Sequence, residues 1–260
     1  KQKAALFPIP VKVADQTAVT PDYVAAMIVI AWEALPPHLI DWSEENIVNC
    51  YLLQCGGSYG SFIQNSEGRT VTSTVSGETY FLHHSMFIGS RIHSPTDLLA
   101  FTIHEYAHYL DAAIYAPQPG TRQGIINTKD FYKISFSNVE ELSSFPVYQR
   151  KSWLPLRTGI DEDTDFVNNY ASKKTSIRTK AGSTVGYTYV EDFAESFAVY
   201  VMSGKQFRSR AEQNEILRQK YEWLKENVFQ GVEYDTDLPR MESKQPFEYV
   251  FSGRLMKKES

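Results

Sequence analysis

The stretch His104-Glu105-Tyr106-Ala107-His108 sets two imidazoles four residues apart, with a carboxylate beside the first. On a helix, residues four apart project from one face, so both rings can offer a nitrogen to a single divalent ion. Glu105 sits one position round, close enough to reach a water on that ion without ligating it. A zinc ion held there would lower the pKa of such a water toward about 7, and a carboxylate could then take its proton. That is the chemistry of hydrolysis.

Two histidines and a water leave one protein ligand to find. All six histidines lie at or before His108, so a third histidine downstream is excluded and a carboxylate is indicated. Glu191-Asp192-Phe193-Ala194-Glu195-Ser196-Phe197 supplies two candidates. Glu191 and Glu195 lie one helical turn apart on one face, with Phe193 and Phe197 on another. Glu191 also fits a Thr188-x-x-Glu191 capping box, a role compatible with ligation if the helix begins beside the ion. Asp111, three residues past His108, can accept a hydrogen bond from a ligand imidazole; the plainer alternative is a solvated or capping acid. His83, His84 and His93 fall in or just after a strand-rich segment and are read as strand-surface residues.

These side chains need elements to hold them. Ser94-Pro95-Thr96-Asp97 caps a helix whose apolar residues Leu98, Leu99, Phe101, Ile103 and Leu110 carry the His-Glu motif to about Ala113. Before it, residues 59–92 alternate β-branched or aromatic residues with polar ones between turn signals, which predicts two or three antiparallel strands. Residues 1–19 read as an extended polar arm. Thr20-Pro21-Asp22 opens a helix that stops at Leu35-Pro36-Pro37. Loops and short helices are expected over 115–157, an exposed hairpin over 172–189, and a helix over Val190–Met202. A further helix is expected to open at the capping box Ser209-x-x-Glu212 and to bury Leu217, Tyr221, Leu224 and Val228.

With 42% hydrophobic and 22% charged residues over 260 positions, the composition is that of a soluble globular protein. One domain, 1–260, is expected, with an N-terminal lobe over about 1–115 and a C-terminal lobe over about 116–260. A net charge of −5 implies no basic face and argues against nucleic acid as the main partner. No apolar run approaches the roughly 20 residues that span a bilayer. Cys50 and Cys55 could close a small loop in an oxidising compartment or remain two thiols in the cytosol. The chain starts at Lys1 without an initiator Met or an apolar leader, and is read as a mature or trimmed form.

The pairing of the HExxHxxD run, His104 to Asp111, with the later Glu-x-Phe-Ala-Glu-x-Phe run, Glu191 to Phe197, resembles the anthrax lethal factor family of gluzincins, which includes the Pro-Pro endopeptidases of clostridia. The resemblance covers roughly residues 95–113 and 165–202. It implies an α+β, zincin-like fold, with a small mixed sheet and the HExxH helix followed by a mainly helical C-terminal lobe. One Zn2+ per chain would be held by His104, His108 and Glu191, with Glu195 orienting a metal ligand and Glu105 as general base. The family also carries an oxyanion-stabilising tyrosine in a segment that Phe166-Val167-Asn168-Asn169-Tyr170-Ala171 resembles, so Tyr170 is its expected counterpart. The family's tyrosine lies about two turns before the ligand glutamate. Here the hairpin intervenes, and Tyr187 and Tyr189 remain rivals.

The implied activity is endopeptidase cleavage of a protein or peptide laid antiparallel along the strand around Thr79 to Ile88. The implied setting is secreted or at the cell envelope, or that of an effector delivered into a host. A non-catalytic, toxin-like zinc module that docks a protein partner is the alternative, and Glu105 argues against it because a dead enzyme needs no base.

Overall fold

A computed structural model describes residues 11–13, 31–40, 49–53, 61–64, 70–73, 77–80, 85–89, 95–111, 125–144, 153–179 and 182–237. The expected polar arm (apart from 11–13), the opening of the first helix, Cys55, and His83, His84 and His93 lie outside them. The chain divides into two compact units, residues 1–106 with 238–256, and residues 107–237 with 257–260.

In the first unit, β1 (Val11–Val13), β2 (Asn49–Leu53), β5 (Gly77–Tyr80) and β6 (Ser85–Gly89) form a four-stranded sheet in the order β1-β2-β6-β5. β1 pairs with β2, and β2 with β6, in parallel, whereas β5 runs antiparallel to β6. The segment expected as a sheet edge is therefore two strands. Among the described residues β5 is the outer one, its Thr79 opposite Met86, and β6 is an inner strand. A separate antiparallel pair joins β3 (Ser61–Gln64) to β4 (Thr70–Ser73).

The motif helix α1 (Pro95–Leu110) starts on a proline, whose missing N–H costs nothing in the first turn. Leu99, Ile103, Tyr106, Ala107 and Leu110 are buried along it at the three-to-four spacing of one face. The Tyr106 hydroxyl donates to the Leu39 carbonyl at 2.5 Å, and its ring meets Trp32 edge-on. The division between the units falls within α1, between Tyr106 and Ala107.

The second unit is helical around one hairpin. It contains α2 (Lys129–Ser135), a 3-10 turn (Val139–Ser144), the antiparallel hairpin β7 (Lys174–Thr179) and β8 (Gly182–Tyr187), then α3 (Tyr189–Met202), α4 (Gly204–Ala211) and α5 (Glu215–Asn227). α5 packs on α2, α3 and α4. α3 is buried nearly all round; only Val190, Glu191 and Val199 keep partial exposure, so its glutamate-bearing first turn is an open end. The core is aromatic. Phe193 meets Phe131, Phe197 and Trp223 edge-to-face, and Tyr200 stacks on Phe229 with centroids 4.4 Å apart. Each such pair adds about 0.5–1.5 kcal/mol beyond the area it buries.

The expectation of a helix opening at Ser209-x-x-Glu212 is corrected. Ser209 lies inside α4 and Glu212 just beyond its end. The helix with the Leu217, Tyr221 and Leu224 stripe begins at Glu215, where the Asn214 side chain accepts a hydrogen bond from Leu217 N at 2.9 Å. Serine and asparagine both cap helices, and here it is the asparagine that takes the helix start.

Candidate metal centre

α1 brings His104 and His108 onto one face, and the first turn of α3 brings Glu191 to them. The donor atoms of His104, His108 and Glu191 all lie within 4.8 Å of one another, a group that could hold a metal ion. His108 Nε2 and Glu191 Oε2 are 3.4 Å apart. A tetrahedral ion with ligands at about 2.0–2.1 Å separates its donor atoms by roughly 3.4 Å, so this pair has the spacing that small side-chain rotations would give the rest. The side chains of His108 and Glu191 keep 14% and 13% accessibility, which leaves an approach from solvent. Two imidazoles, one carboxylate and an open side fit a zinc ion with a free fourth position. His104 and Glu105 are buried.

The Thr188 side chain makes no cap hydrogen bond to α3, and Glu191 instead meets Thr188 through its backbone N–H, 3.1 Å from the Thr188 carbonyl. The glutamate side chain is thus turned toward His108 instead of folding back on the cap.

The other site residues read from the sequence occupy distinct surroundings. Asp111 is fully buried; the Thr128 hydroxyl donates to its Oδ1 at 2.5 Å and the Tyr132 hydroxyl donates to its Oδ2. Burial, with Asp111 beside it, holds the Tyr132 phenol well above its ordinary pKa. Glu195 is buried and accepts a hydrogen bond at Oε2 from Asn168 Nδ2.

The three tyrosines are separated by geometry. Tyr170 is 44% exposed, and its hydroxyl oxygen accepts from Lys173 Nζ at 3.1 Å. That same ammonium lies 3.9 Å from Glu191 Oε1 and 4.6 Å from the Tyr170 ring centroid, so one cation links the tyrosine to the candidate ligand. Tyr187 instead donates its hydroxyl to Glu162 at 2.6 Å; desolvation first, then this carboxylate, pushes its pKa up to about 12. Tyr189 is buried against Tyr132, centroids 4.9 Å apart.

Four functional candidates escaped the sequence reading. Asn168 and Lys173 flank Tyr170, and nothing in their local pattern marks them. Lys220 and Asp192 form a fully buried ion pair at 2.9 Å, behind the first turn of α3. Lys220 carried a signal: it lies between Leu217 and Leu224 on the apolar face of an amphipathic helix, where a lysine is rarely left unpaired.

No protein-family model matches the chain, and no curated protein matches it.

Proposed function

We propose that this chain is a zinc-dependent endopeptidase of α+β, zincin-like type, secreted or acting at the cell envelope, with a protein or peptide as substrate. The observation that carries this reading is the convergence of His104, His108 and Glu191 on one point, with Glu105 next to the first of them on the same helix. When bound, zinc supplies Lewis acidity that lowers the pKa of a water toward about 7 and polarises the scissile carbonyl.

The chain's own residues do the rest. Glu105 takes the proton of the attacking water and hands it to the leaving amine. Glu105 is buried and sits next to His104 on α1. Tyr170 donates a hydrogen bond to the oxyanion. The exposure of the residue and its link through Lys173 to Glu191 support it over Tyr187, which is committed to Glu162, and over Tyr189, which is buried. Glu195 and Asp111 brace the ligand-bearing helices. Among the described residues, strand β5 ends the sheet, and an extended peptide can add beside it as a further strand.

The test is metal analysis of wild type and Glu105→Ala, alongside cleavage of a peptide library. The expected result is one zinc per chain in both proteins and cleavage by the wild type only. Wild type that binds zinc and peptide yet cleaves nothing would turn the reading to a non-catalytic binding module. Glu191→Ala that keeps full zinc while Glu195→Ala loses it would transfer the ligand role to Glu195.

A further inference from the structure

The segment that presents Tyr170 is held at four successive residues. Lys220 Nζ donates to the Asp165 carbonyl at 2.9 Å and sits 3.9 Å over the Phe166 ring. The Arg210 guanidinium takes the next two carbonyls, Phe166 at 2.8 Å and Val167 at 2.6 Å. Then comes Asn168, whose amide is used at both ends. Its Oδ1 accepts from Tyr170 N at 3.0 Å and Ala171 N at 2.9 Å, while its Nδ2 donates to Glu195 Oε2. Only one orientation of the amide satisfies this set, because backbone N–H groups can only donate and a carboxylate can only accept. A side chain used solely to turn the backbone would not need its nitrogen engaged by a buried carboxylate one helical turn past Glu191.

We propose that Asn168 is a positioning residue, a two-sided clamp that ties the Tyr170 backbone to Glu195 on α3 and so sets the tyrosine hydroxyl relative to the ligand-bearing turn; this rests on the peptidase reading above. The clamp explains how a tyrosine separated from Glu191 by a whole hairpin is still held near it. The hairpin can vary in length, because the register between tyrosine and glutamate is set across Asn168 and not along the chain.

Asn168→Asp separates the two halves of the clamp. Aspartate still accepts from Tyr170 N and Ala171 N, so a merely structural turn survives. It cannot donate to Glu195, and sets a second carboxylate against it. The expected outcome in the zinc-loaded protein is a kcat lowered on the order of 10-fold with KM little changed. Backbone amide exchange at Tyr170 and Ala171, measured on the same protein, should accelerate. The reciprocal swap Asn168→Asp with Glu195→Gln restores a donor on α3 facing an acceptor at position 168, and should recover slow exchange at Tyr170 and Ala171. Asn168→Asp with wild-type kcat and wild-type exchange overturns the clamp. If Asn168→Asp fails to fold, the swap decides: recovery of folding and exchange supports the pairing, and no recovery overturns it. A wild type that cleaves no peptide sinks the peptidase reading and the catalytic role of the clamp together, whereas a cleaving wild type beside an indifferent Asn168→Asp sinks the clamp alone.

Discussion

At the scale of single residues, the proposed chemistry divides between groups that hold an ion and groups that act on substrate, and substitutions should separate them. Glu105→Gln should retain one zinc per chain by metal analysis while kcat falls by about 10²–10⁴-fold, the usual contribution of a positioned acid–base group. Tyr170→Phe removes one oxyanion donor and should lower kcat by about 10²-fold with KM nearly unchanged in steady-state assays. Tyr187→Phe is the matched comparison. Its hydroxyl is occupied by Glu162, so kcat should stay within about threefold of wild type. Of these residues, His104, Glu105 and His108 were legible because a four-residue spacing on a helix is a geometric statement in itself. Asn168 and Lys173 were not, because each acts on a partner brought to it by folding.

At the scale of elements, α3 and the segment before β7 are locked to α4 and α5 by charges taken out of water. Lys220 and Asp192 are fully buried, and desolvation pulls the lysine pKa down while pushing the aspartate up, each offset by the other. Removing one partner strands the other. Lys220→Met should therefore cost about 3–5 kcal/mol in chemical denaturation, while pairing it with Asp192→Asn should recover part of the loss. Gly204 opens α4 where an added Cβ would run into the Tyr234 carbonyl, so Gly204→Ala should destabilise by about 1–3 kcal/mol in the same assay. The hairpin is pinned differently. Hydrogen bonds from Lys174, then Tyr187, hold the Glu162 carboxyl below its ordinary value of 4.5. Its folded pKa is the lower one, so this tie is fully present above that value and is lost as pH falls through the folded pKa. Protection factors of the β7 and β8 amides, taken relative to the intrinsic exchange rate at each pH, should accordingly fall in acid. Most of these elements could be read from spacing: the hairpin, and α3 to within one residue of its start. The start of α5 could not, since Ser209 and Asn214 both carry a capping signal and only the packed chain selects one.

At the scale of the whole molecule, a metal at His104, His108 and Glu191 would couple folding to binding, because the unfolded chain cannot gather three donors 87 residues apart in sequence. Chelation should abolish cleavage and lower Tm, and zinc at a thousandfold over its Kd should return about 4 kcal/mol. No helix among the described residues is long and apolar enough to cross a membrane. The sequence alone determined what is local: the motif on one face of a helix, the exclusion of a third histidine downstream, and two glutamates one turn apart. It could do so because helical periodicity fixes the relation between residues a turn apart whatever surrounds them. Tertiary structure decided what is distant: that Glu191 meets His108, that Tyr187 turns to Glu162 while Asn168 meets Glu195, and that a buried Lys220 stands behind the glutamate helix. Such contacts join segments tens of residues apart, and only the packing of those segments says which side chains meet.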